Sequence, residues 1–216
     1  MRGGQAEACP TLKPGGGGRH PTLMLRDTRL QVHEVLQVAA HVGLTLLPPR
    51  PDHSQQAFTW SPAHDAFVQD LVDGRFRSGF RLRNFQLLLI DAQDRVLGQH
   101  RPQRFTPDAD DLAKLARMYA QAAELLARIH TPVRLWPHHF DVAVLIDKLG
   151  VGFLAGDDEI DEPYWYVYNT PMPDPLPALR VGEWHRGHWT GAVLKGDPDA
   201  ATIEAFLREA MAAVSG

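Results

Sequence analysis

Cysteine is almost absent from this sequence, since Cys9 is the only one among its 216 residues. One thiol cannot form a disulfide within the chain, and its isolation excludes zinc sites built from several cysteines. The sequence also has no apolar run long enough to span a membrane, and residues 1–20 lack the apolar segment that a signal peptide requires. We therefore expect a cytoplasmic protein, a location that the low cysteine content fits.

Neither sign of charge dominates, because 22 Lys and Arg residues face 26 Asp and Glu residues. Nothing in this balance attracts the chain to nucleic acid or to an anionic membrane, so we expect neither partner. The sequence also lacks the Gly-x-Ser-x-Gly nucleophile motif and the Gly-x-x-x-x-Gly-Lys phosphate loop. The apolar fraction of 44% is that of an ordinary globular protein.

Four consecutive glycines occupy residues 15–18. Because glycine gives the backbone its greatest freedom, we predict that residues 1–20 form a disordered, glycine-rich tail that includes Cys9. Residues 21–216 are then long enough for one domain with a sizeable core.

The apolar spacing in residues 21–216 alternates between helical and strand periods. The strongest helix signal begins at Thr106-Pro107-Asp108, where a capping hydroxyl, a first-turn proline and acidic residues coincide. The predicted elements are a helix over 28–43, a strand over 44–47, a strand pair over 57–72 that turns near Ser61-Pro62, strands over 76–90 and 95–97, a helix over 106–129, strands over 140–146, 163–168 and 183–194, and a helix after 197–198. Because the strands come in runs with short connections, we predict an α+β fold, a mainly antiparallel sheet with three principal helices packed on one side.

Three stretches carry more specific predictions. The continuous apolar run 85–90 is typical of a strand covered on both faces, whereas 140–146 alternates and should have two different faces. The strand that Pro163 opens places Tyr164, Tyr166 and Tyr168 on one face. Residues 150–162 predict a loop, and the prolines between 169 and 179 exclude regular structure there. The repeated Leu-Ile-Asp at 89–91 and 145–147 indicates either an old duplication of a helix-plus-sheet unit or chance.

Unusual chemistry is concentrated in residues 131–191, which contain four of the five tryptophans and three of the four tyrosines. Imidazoles, carboxylates and amphipathic rings together can line a pocket and orient a polar ligand. We predict that the three phrases 136–141, 162–168 and 183–189 converge on one hollow, with Trp189 among its walls. The ligand-binding residues that we predict are Trp136, His139, Asp141, Tyr164, Tyr166, Trp184, His185 and His188.

Three functions remain open on these residues. The first is a small soluble ligand-binding domain that takes a polar or aromatic molecule. The second is a hydrolase that uses a divalent metal or a His139–Asp141 acid–base pair, although the spacing of His138, His139, His185 and His188 matches no zinc motif and no cofactor is predicted. The third is an interaction module whose aromatic surface forms a homodimer.

The central phrase from Pro132 to Val144 resembles a family of uncharacterised bacterial proteins whose strand carries a tryptophan followed by Phe-Asp-hydrophobic-Ala, here Trp136 and Phe140 to Ala143. In that family an early helix and a long middle helix precede this strand, and a tyrosine-rich phrase and a Trp-Gly ending follow. The similarity would cover residues 28–195 and implies one compact bacterial domain. It implies no activity.

Overall fold

The computed structural model describes residues 21–51, 54–71 and 74–215. Its helices are α1 (Pro21–Leu46), α2 (Ala109–Ala127) and α3 (Ala200–Ser215). Its strands are β1 (Phe58–Ser61), β2 (Ala66–Leu71), β3 (Phe76–Arg81), β4 (Gln86–Asp91), β5 (Val96–His100), β6 (Arg134–Trp136), β7 (Asp141–Ile146), β8 (Leu149–Leu154), β9 (Tyr164–Tyr168), β10 (Glu183–Arg186) and β11 (Thr190–Lys195). The predicted tail, with Cys9, lies outside the described residues.

The eleven strands of the described residues join one antiparallel sheet in the order β10-β11-β9-β8-β7-β6-β1-β2-β3-β4-β5. The three helices pack on one face of this sheet, which confirms the predicted α+β fold. We call the other side the open face. In the part of the chain that the structure describes, no helix combines the length and the apolar character needed to cross a membrane.

The main core fills the space between the helices and the sheet. β7 shows how the alternating pattern sorts side chains: Val142 and Val144 are buried in this core, whereas Asp141 and Ala143 belong to the open face. The helix side of β9 contributes Trp165 and Val167 in the same way. The two-residue period in both stretches therefore predicted the faces correctly.

Each half of the sheet starts with a helix and continues as an antiparallel run of strands, and the halves meet where β1 pairs with β6. In both halves the first hairpin has a four-residue turn, 62–65 or 137–140, whose last residue is left-handed, Asp65 with φ 48° and Phe140 with φ 56°. The repeated Leu-Ile-Asp instead ends β4 and β7, which hold different places in the two halves. The first four strands of each half pair in the same order, whereas the next strand does not, since β9 pairs with β11 rather than with β10. The short phrase does not mark this partial repeat.

Two predicted helix boundaries are wrong. Residues 44–46 belong to α1 rather than to a strand, and at Gly43 this helix lies directly against the Gln69 side chain of β2. α2 begins later than predicted, with Asp108 rather than Thr106 as the N-cap; its carboxylate accepts from the amides of Asp110 and Asp111.

The strand predictions need three further corrections. Residues 76–90 form two strands, and β4 is not covered on both faces, since Leu89 is 41% exposed. Residues 150–154, expected in a loop, belong to β8. Residues 183–194 contain the hairpin of β10 and β11 rather than one strand. These strands depend on pairing with a neighbouring strand, which local spacing does not reveal.

Candidate functional site

The floor of the site is the tyrosine row of β9 on the open face. Tyr166 pairs with Gly152 of β8 and Tyr168 pairs with Gly150. A methyl group on Gly152 would lie 2.5 Å from the Tyr166 ring, so only glycine leaves room for the ring at that position. The ring of Tyr166 therefore lies across β8, and its hydroxyl reaches Asp141 on β7.

Asp141 is a buried carboxyl group, with only 6% of its surface exposed. Its Oδ2 accepts a hydrogen bond of 2.5 Å from the Tyr166 hydroxyl. Its Oδ1 is buried and has no hydrogen-bond partner among the residues that the structure describes. Burial raises the pKa of Asp141 to about 6, although the Tyr166 hydrogen bond and the nearby His139 oppose the rise.

The tyrosines keep their protons. Burial raises the pKa of Tyr166 well above its usual range, and the charge of Asp141 raises it further. The pKa of Tyr164 is also raised, first by burial and then by its hydrogen bond of 2.6 Å to Asp157 Oδ2. Both hydroxyls thus act as donors to carboxylates.

Two cavities open beside Asp141, one of about 600 Å³ and one of about 300 Å³. They share four lining residues, His139, Asp141, Tyr166 and Tyr168. The larger cavity is also lined by Leu154, Asp157, Tyr164, Asn169, Thr170, Pro171, Met172, Trp189 and Thr190. The smaller is also lined by Gln56, Trp136, His138, Ala143 and Leu145. Among the described residues, no lysine or arginine lines either cavity.

A hydrogen-bonded rim holds Trp189 at the larger cavity. Glu159 Oε2 lies 2.7 Å from His185 Nε2, and Glu159 Oε1 contacts His188 Nδ1. These contacts join the 157–162 loop to the β10–β11 hairpin. The His185 ring lies 4.7 Å from the Trp189 ring, which stacks nearly parallel to Tyr164 at 6.4 Å. The hydrogen bonds to histidine keep the pKa of Glu159 below its usual range.

The structure brings together most of the predicted site. Trp136, His139, Asp141, Tyr164 and Tyr166 line the two cavities. His185 and His188 lie at the rim, where they contact Glu159 and do not line either cavity. That these residues bind a ligand stays a prediction.

Trp184 does not lie with the others. It pairs with Ala192, which is buried in the core on the helix side, and Trp184 packs against that same core. Its indole N–H donates to the Pro177 carbonyl at 2.7 Å. Because neighbouring residues of a strand point to opposite faces, placing His185 on the open face puts Trp184 on the other one.

Sequence reasoning missed several lining residues. Tyr168 belongs to the predicted tyrosine row, so the two-residue period could have included it among the site residues. Asp157 falls in the predicted loop 150–162, and residues 169–172 fall in the stretch for which the prolines predict no regular structure. No local pattern indicates that these two segments border one cavity, because they flank opposite ends of β9.

The four histidines weighed for the metal-dependent alternative occur in two pairs, His138 with His139 in the β6–β7 turn and His185 with His188 at Glu159. Within residues 21–51, 54–71 and 74–215, no group of three or more His, Cys, Asp or Glu side chains is placed to hold a metal ion. The described features of the site are its hydrogen bonds and its aromatic rings.

Comparison of the chain with protein-family models, with curated proteins and with solved structures found no match. Membership in the uncharacterised bacterial family stays a prediction, and the interpretation of the site rests on its geometry.

Proposed function

We propose that the open-face cavity is the binding site of a small organic molecule. The observation that carries this proposal is the cavity of about 600 Å³, whose lining includes three tyrosines and Trp189. Binding sites for small molecules have volumes of about 300–1,000 Å³ and combine apolar walls with a few fixed polar groups. The tyrosine hydroxyls and the carboxylates that accept from them supply those polar groups.

A fragment screen by protein NMR tests this function. We expect binders to shift the amide signals of β9 and the indole signal of Trp189. Replacing Thr170, an exposed cavity residue, with tryptophan should weaken these binders, whereas Thr45→Trp on the exposed surface of α1 should not. Binders that leave β9 unshifted, or that tolerate both substitutions equally, would contradict the proposal.

One observation favours a second function, an enzyme with Asp141 as its acid or base. A carboxyl group with a pKa of about 6 can exchange a proton near neutral pH. If a bound molecule is converted, Asp141→Asn should abolish turnover. Tyr166→Phe, which removes the hydrogen bond to Asp141, should instead shift the limb of the pH–rate profile that Asp141 controls to higher pH, because that hydrogen bond opposes the rise in pKa. This is the acidic limb if Asp141 acts as a base and the alkaline limb if it acts as an acid. A turnover that survives Asp141→Asn would exclude this role.

The homodimer hypothesis is a separate prediction that light scattering checks.

A further inference from the structure

We propose that the molecule bound in the open-face cavity is an organic cation, an amine or amidinium carried on a flat apolar group. This inference rests on the proposed function, since it names the class of ligand for the same cavity. Three properties of the lining support it: its charge, its hydrogen-bonding groups and its rings.

The fixed charge of the lining is negative. Asp141 and Asp157 are its carboxylates, and among the described residues its only basic side chain is His139. A ligand cation would neutralise a carboxylate that burial otherwise destabilises. An anionic ligand would meet the same carboxylates with no lysine or arginine beside it.

Each carboxylate of the lining already has one tyrosine donor, since the hydroxyls of Tyr166 and Tyr164 donate to Asp141 and Asp157. Asp141 Oδ1 still lacks a donor, because it is buried and has no hydrogen-bond partner among the described residues. His139 is exposed and lines both cavities beside Asp141, so a ligand N–H that reaches Asp141 Oδ1 would displace this side chain. A donor-bearing ligand completes the hydrogen bonding of Asp141.

The aromatic rings of the lining are the third property, and they suit the flat apolar group of the ligand. Tyr166 and Tyr168 stack at 6.0 Å with an interplanar angle of 17°, and Trp189 lies edge-on to Tyr166 at 6.0 Å. Flat apolar groups pack on such rings, and a cation near a ring face gains further attraction. A carboxylate beside stacked tyrosines therefore matches a cationic group attached to a planar one.

The test uses three probes that share one skeleton: phenethylamine, 2-phenylethanol and phenylacetate. At pH 7.5 we expect phenethylamine to shift the Trp189 indole signal and to bind at least about tenfold more tightly than the other two, since a charge-assisted hydrogen bond is worth at least that factor. Asp141→Asn should remove most of this preference. Glu124→Gln, which removes an exposed carboxylate of α2, should leave it unchanged.

The outcomes separate the inference from the function on which it rests. If all three probes bind in the cavity with similar affinity, or if phenylacetate binds best, the cation inference is wrong and the binding function stands. If none of the three binds, the inference is overturned, and the fragment screen decides the function. If Asp141→Asn does not fold, the wild-type comparison of the three probes still decides.

Discussion

Asp141 gives the sharpest prediction, because its burial links stability to pH. Its pKa rises from 3.8 to about 6 on folding. A rise of that size corresponds to about 3 kcal/mol of unfavourable free energy while the group is ionised. Above pH 6 the folded protein bears this penalty in full. As the pH falls from 6 towards 4, the folded state binds a proton that the unfolded state does not, so the contribution of Asp141 to stability increases.

Asp141→Asn removes the titrating group and nearly preserves its shape. The difference in unfolding free energy, mutant minus wild type, should therefore be most favourable to the mutant at pH 8 and should decrease by about 2 kcal/mol by pH 4. Urea unfolding followed by tryptophan fluorescence at several pH values measures it. A constant offset from the amide itself does not matter, because only the pH dependence is predicted.

Glu124→Gln is the matched control, and its difference from wild type should stay nearly constant over the same range. A difference for Asp141→Asn that does not change with pH, or that changes in the opposite direction, would refute the assignment of Asp141 as a buried carboxyl group with a raised pKa. It would also remove the charge argument for a cationic ligand.

Three further predictions concern the framework of the site. Gly152→Ala places a methyl group 2.5 Å from the Tyr166 ring and should destabilise the fold by about 1–3 kcal/mol in urea unfolding. Gly98→Ala, with open space around it, should be nearly neutral. Equal effects of the two substitutions would contradict the close packing of Tyr166 on Gly152. Tyr119→Phe removes a buried hydroxyl that donates to the β6–β7 turn at 2.5 Å, so unfolding should become easier by about 1–2 kcal/mol, and an unchanged urea midpoint would argue against that bond. Glu159→Gln weakens the link to both rim histidines, so hydrogen exchange should increase in residues 187–190 and not in α2.

The parts of the site that local spacing predicted are those that lie within one strand. The alternation in 141–146 placed Asp141 opposite Val142, and the tyrosine row placed Tyr164, Tyr166 and Tyr168 on one face. The same rule could not place Trp184, because it requires knowing which face His185 takes, and the pairing of β10 with β11 decides that.

The sequence by itself determined the helix and strand periods, the α+β class and the concentration of rings and carboxylates between 131 and 191, because each depends on residues close together in the chain. Only the tertiary structure decided that β7, β8 and β9 lie side by side and that two glycines of β8 leave room for tyrosine rings. Strand order joins residues 141 and 166, 25 positions apart, in one hydrogen bond. That contact depends on backbone pairing and side-chain volume in three strands at once, which no local pattern contains.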